Sequence, residues 1–178
     1  MCRRFLSACL LIAVLSGVVA GTVPAGEAPA ATLREARLPA TSKTRLAELA
    51  AHPDWRVRKT VAGNRRTPGE VLARLAGDPE PQVRISVATN ISTPDAVYLG
   101  LARDGDVDVR SVVARYEYVP VAALKILAGD AVPRIRLEVA RNWNTDVATL
   151  ENLSRDGDPD IAAIALQSLQ KRREEAAE

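Results

Sequence analysis

Four arginines at a spacing of 26 residues, Arg58, Arg84, Arg110 and Arg136, are the first residues able to act chemically as a group. A row of guanidinium groups can grip phosphates or an acidic polymer, because each presents a rigid fork of donors. Asp78, Asp104 and Asp130 keep the same spacing, each six residues ahead of one of these arginines. They offer the arginines internal partners in the same or a neighbouring turn. The expected role is therefore a structural ladder, paired and partly buried.

Other chemistry is sparse. His52 is the sole histidine, with no second imidazole for a metal site and no nearby thiol for an imidazole–thiolate pair. Ser86, Ser92, Ser111 and Ser154 lie in no nucleophile-elbow pattern, and no glycine-rich phosphate loop occurs. Asp104, Asp106 and Asp108 alternate as at the start of a calcium loop, but Arg115 stands where its closing glutamate would fall. The expectation is a non-enzymatic protein with no cofactor and no metal.

Contact residues are easier to find. Asn64, Asn90 and Asn142 form a column suited to ending a helix in the left-handed conformation. Tyr116 breaks that column. The two residues that follow vary freely: Arg65-Arg66, Ile91-Ser92, Glu117-Tyr118 and Trp143-Asn144. Exposed aromatic and arginine side chains are effective contact groups. Arg65, Arg66, Ile91, Tyr118 and Trp143 make up the candidate partner-binding edge, with a plain variable turn as the alternative. Trp55, beside His52, is expected to cover the first unit of the core.

The elements that position these residues follow from the same 26-residue period. Leu49, Leu75, Leu101, Leu127 and Leu153 keep it, as do Val57, Val83, Val109, Ile135 and Ile161. So do Val61, Val87, Val113 and Val139, and Ala62, Ala88, Ala114 and Ala140. Each period reads as two short helices. The first carries apolar residues at i, i+4 and i+5, as in Val83, Val87 and Ala88. The second follows Thr67-Pro68-Gly69-Glu70, which reads as a capping box with proline in the first turn. So short a pair cannot bury its apolar face alone, and successive pairs must stack into an all-α solenoid.

The pattern carried by residues 75–94, Leu-Ala-x-Asp-Pro-Glu-x-x-Val-Arg-x-x-Val-Ala-x-Asn-x-x-Thr-Pro, and in part by 101–120 and 127–146, resembles the leucine-rich repeat variant, akin to HEAT and armadillo arrays. The resemblance covers residues 41–169. It implies a right-handed superhelix of two-helix repeats, with α and 3₁₀ helices possible in alternation. An iron–sulfur module accompanies such repeats in one protein of this type. Cys2 and Cys9 are the only cysteines here, so that function is not expected to carry over.

Outside the array, Met1-Cys2-Arg3-Arg4 precedes an apolar run through Leu10 to Leu15, the layout of a secretory signal over residues 1–25. Cleavage fits after Ala20 or after Ala25. An uncleaved anchor is the alternative, and Leu6-Ser7-Ala8-Cys9 also matches a lipobox, which would lipidate Cys9. Residues 26–40 read as an Ala/Pro-rich linker and 170–178 as a charged tail. The chain has 24 Lys and Arg against 22 Asp and Glu. Arg3 and Arg4 account for the whole excess, which argues against nucleic acid as the partner. The expected product is a monomeric, exported scaffold in a bacterial envelope, binding another protein. The alternatives are an electrostatic binder of an acidic polymer, and an accessory or maturation factor for an enzyme.

Overall fold

The computed structural model describes residues 30–175. The signal segment, Cys9, the beginning of the linker and residues 176–178 lie outside the described residues. Eleven helices and no strand occur among those described: α1 (Ala30–Arg37), α2 (Lys43–Leu49), α3 (Trp55–Ala62), α4 (Gly69–Leu75), α5 (Pro81–Ala88), α6 (Asp95–Leu101), α7 (Val107–Arg115), α8 (Val121–Leu127), α9 (Pro133–Arg141), α10 (Val147–Leu153) and α11 (Pro159–Glu175). The odd-numbered helices stack in one continuous row, and each even-numbered helix packs on the odd-numbered helices beside it. The result is an α-solenoid.

Helices of seven to nine residues are marginal alone, so packing must hold them. Val57, Val61 and Ala62 of α3 are fully buried, as are Val83, Val87 and Ala88 of α5, Val109, Val113 and Ala114 of α7, and Ile135, Val139 and Ala140 of α9. Leu46, Leu72, Leu124 and Leu150 close the core from the second row. In α11 Leu166 takes the place of these alanines and is 56% exposed, since among the described residues no unit packs on it.

Several expectations change. The linker expected over 26–40 contains α1, whose Ala36 stands one period before Ala62 of α3, and which packs on α3 as a member of the first row. Ala36 of α1 is completely buried. Among the described residues the array therefore begins with α1, ahead of residue 41, at which the resemblance starts. The charged tail is likewise helical as far as Glu175, as the last turns of α11. The second-row helices are α-helical, with i→i+3 bonds confined to their ends, such as Val71 N–H to Pro68 O (2.9 Å) and Gly77 N–H to Arg74 O (3.2 Å).

No capping box forms at Thr67. Pro68 is the N-cap of α4, and no side chain caps that end. The Thr67 hydroxyl is buried and donates backwards to Val61 O at 2.6 Å, binding a carbonyl near the end of α3. Thr93 does the same to Val87 O and Thr145 to Val139 O, each at 2.6 Å. Each of these carbonyls also accepts the N–H of Asn64, Asn90 or Asn142, at 3.0, 3.1 and 3.2 Å, so the threonine column adds a second donor to a buried oxygen at the helix end.

Candidate functional site

Two edges flank the stacked row. At the N-terminal ends of the odd-numbered helices lie the Asp-rich turns and the arginine ladder. Each arginine spans two units. Arg58 Nε and Nη2 donate to Asp78 Oδ2 and Oδ1 at 2.6 and 2.9 Å, while its Nη1 donates to His52 O and Pro53 O of its own turn, both at 2.9 Å. Arg84 grips Asp104 at 2.7 and 2.8 Å and Asp78 O at 2.7 Å. Arg110 meets Asp130 and Arg136 meets Asp156 in the same way, each with an Nε to Oδ2 distance of 2.7 Å. Asp156 thus completes a ladder of four rungs.

The rungs are well shielded, with Arg58, Arg84 and Arg110 side chains 14% exposed and their aspartates 5–9%. Each aspartate also accepts a backbone N–H two residues on, as Asp78 does from Glu80 at 3.0 Å. Burial pushes the carboxyls of Asp78, Asp104 and Asp130 up, but the guanidinium bonds, the amide and the surrounding arginines together hold each below its ordinary value. At Asp156 the Arg136 bond is the largest influence, and it lowers the value. These arginines have no charge to spare for a ligand.

The ends of the ladder follow the same logic. His52 stands where the other turns have aspartate, and its Nδ1 accepts Asp54 N–H at 3.1 Å, standing in for the carboxylate oxygen. It needs no guanidinium partner, since Thr32 occupies the arginine position in α1. Ala162 replaces arginine in the same column of α11. The calcium-like turn is also accounted for: Asp104 belongs to Arg84, and Asp106 caps α7 through Asp108 and Val109 N–H. Among the described residues, no group of three His, Cys, Asp or Glu stands together as a metal site.

The opposite edge carries the asparagines. Asn142 does not act as a left-handed cap, being extended at φ −68°, ψ 124°. Instead they staple successive units. Asn90 Nδ2 donates to Ala62 O and Asn64 O at 2.6 and 2.9 Å, while its Oδ1 accepts Ser92 N–H at 2.9 Å. Asn64 reaches Ala36 O, and Asn142 reaches Ala114 O, in the same manner. Each therefore satisfies a carbonyl in the last turn of the first-row helix before it.

Tyr116 cannot do this for Ala88, and the sequence reading missed what does. The Tyr98 hydroxyl donates to Ala88 O at 3.1 Å from a position that is leucine in the neighbouring units. Burial holds this phenol well above its ordinary pKa, with Tyr116 and Asp95 adding to the shift, so it stays a donor. Tyr116 stacks on Tyr98 at 6.2 Å between ring centroids, and Tyr118 meets Tyr116 edge-on at 5.7 Å. The signal was available: Leu gives way to Tyr at 98 within a few turns of the Asn-to-Tyr change at 116. For Ala140, Ser168 supplies the donor at 2.8 Å.

Outside these staples the edge is open. Ile91, Tyr118 and Trp143 are 60, 55 and 65% exposed, and Arg65 and Arg66 are also exposed. The structure places all five candidate contact residues in the turns of this one edge. Trp55 is half-buried at the start of α3, with Arg56 and Lys59 over its ring at 5.7 and 5.9 Å. It flanks a shallow groove of about 490 Å³ that also involves Leu33, Arg37 and Gly63.

The leucine rich repeat variant family model matches residues 55–80. Similarity extends to a solved structure described as a leucine-rich repeat variant with a novel repetitive protein structural motif, at 25% identity and a TM-score of 0.59. The match covers 74% of this chain and 52% of that one, so this chain spans about half the length of that protein. No curated protein matches the sequence.

Proposed function

Because the chain is a leucine-rich-repeat-variant repeat protein, we propose that it is an exported, non-enzymatic scaffold of the bacterial cell envelope. It binds another protein through the edge formed by Arg65, Arg66, Ile91, Tyr118 and Trp143. One observation carries this reading: three large apolar side chains stand more than half exposed on a single edge whose other columns are committed to packing. Stacked repeats maintain their core with the recurrent residues and are free to vary elsewhere. Aromatic and arginine side chains in such positions are the usual anchors of an interface. Export rests on the positive, then apolar, first residues.

The test is capture of envelope proteins on the immobilised chain, with Trp143→Ala and Tyr118→Ala beside it. The expected outcome is a partner held by the intact chain and lost from both variants. Retention unchanged in both would remove the edge from the account. A second reading, binding of an acidic polymer, is favoured by Arg65, Arg66, Arg115, Arg134 and Arg141, which take part in no ion pair among the described residues. It predicts retention on a polyanion matrix that falls steeply with salt.

A further inference from the structure

We propose that the partner meets this edge as an acidic, extended segment with an apolar residue at every third position, an inference that rests on the edge reading above. The charge comes first. Arg65, Arg66, Arg115 and Arg141 are exposed at the four turns containing Asn64, Asn90, Tyr116 and Asn142, and the carboxylates in those turns are Glu117 and Asp146, the latter paired with Lys125 at 2.9 Å. The ladder arginines are different, because each is neutralised by its aspartate. The edge thus carries an unneutralised positive charge although the array as a whole is close to neutral. An acidic ligand complements it.

The spacing decides the form of that ligand. Ile91 and Trp143 share one column two units apart, and Tyr118 lies in the unit between them, one position further along its turn. Packed helices lie about 8–10 Å apart, so the three apolar groups recur at roughly that interval. A polyproline II chain rises about 3.1 Å per residue and completes a turn in three residues. It would present the same face to each successive unit. A β-strand reverses its side chains at every residue, so its third residue would face away. Arg65 and Arg66 would meet carboxylates at one end of the segment, and Arg115 and Arg141 those beside the aromatic anchors.

The experiment uses the full chain and fluorescein-labelled twelve-residue peptides, read by anisotropy. A peptide of four Glu-Glu-Leu triplets should bind. Trp143→Ala should weaken it at least tenfold, and joint Arg65→Ala and Arg66→Ala changes should weaken it several-fold and flatten its salt dependence. All are exposed positions, so circular dichroism should stay unchanged. Equal binding by Lys-Lys-Leu triplets, by Glu-Leu doublets or by an acidic peptide with leucine at every seventh position would overturn the proposal. Heparin binding that ignores Trp143→Ala, with the triplet peptide silent, would overturn it in favour of a polyanion.

A photo-reactive benzophenone side chain placed at position 118 separates the two levels of the argument. A cross-linked protein displaced by the triplet peptide supports both. A cross-linked protein that the peptide leaves in place overturns this inference while the edge reading stands. The lack of any cross-link removes both.

Discussion

At position 116 a tyrosine stands where Asn64, Asn90 and Asn142 staple the other units, and the Tyr98 hydroxyl takes over the carbonyl of Ala88. A buried carbonyl left without a donor costs about 1–3 kcal/mol. Tyr98→Phe should lower stability by about that amount in urea denaturation while leaving the fold intact. The exchange of roles gives a sharper test, because Tyr98→Leu combined with Tyr116→Asn restores the pattern of the neighbouring units. The pair should be more stable than the sum of its single changes, with a coupling of about 0.5–3 kcal/mol; simple additivity would mean the two tyrosines are unrelated. The ladder offers a larger effect. Asp104→Ala leaves Arg84 shielded and unmatched, and should cost about 3 kcal/mol, the low end for a broken buried pair because Arg84 keeps some solvent contact. Ser111 runs the other way. Its buried hydroxyl has no partner among the described residues, so Ser111→Ala should be neutral or stabilising by the same denaturation measurement.

Between elements, the four rungs tie each first-row helix from α3 to α9 to the turn just ahead of the next first-row helix, and this makes stability depend on acid. The ladder carboxyls sit below their ordinary values. As pH falls, the unfolded chain therefore takes up protons first, near the ordinary aspartate pKa of about 4. The ladder's contribution is complete at neutral pH and is lost as pH drops from about 4 through the folded values. Thermal midpoints should be flat with respect to the ladder from pH 7 to 5 and decline below. The sequence revealed the ladder's members but not its connections. A strictly periodic chain cannot distinguish an aspartate six residues before an arginine from one 20 residues after it, since both recur with the same period. In the structure each arginine uses both turns, taking the carboxylate of one and the carbonyl of the other. Helix α1 was hidden for the opposite reason. Ala31, Thr32 and Glu35 replace the Val, Arg and Val of α3, leaving Ala36 as the surviving column. Without buried valines, its Glu35 pairs instead with Arg45 at 2.8 Å, holding α1 to α2.

The whole molecule is a linear stack in which each unit contacts its neighbours, so its length should be adjustable in whole periods. Deleting residues 79–104 joins Asp78 to Gly105 and leaves every column in register. Such a chain should retain a helical circular dichroism spectrum, with a urea m-value reduced in proportion to the surface lost. Deleting only 13 residues from the same region should unfold the array, since it would place second-row residues in first-row positions. The edge residues were legible as departures from the period, but their exposure depended on the staples beneath them, which only three-dimensional packing reveals. The central claim is that recurrent columns hold the stack together and the departures on one edge bind the partner. It is tested most directly at two adjacent residues, by measuring urea stability and partner retention for Asn142→Ala and Trp143→Ala. The account predicts that Asn142→Ala loses about 1–3 kcal/mol and, while folded, retains the partner, whereas Trp143→Ala keeps its stability and releases it. Equal stability losses in both variants, or partner retention unchanged by Trp143→Ala, would contradict it.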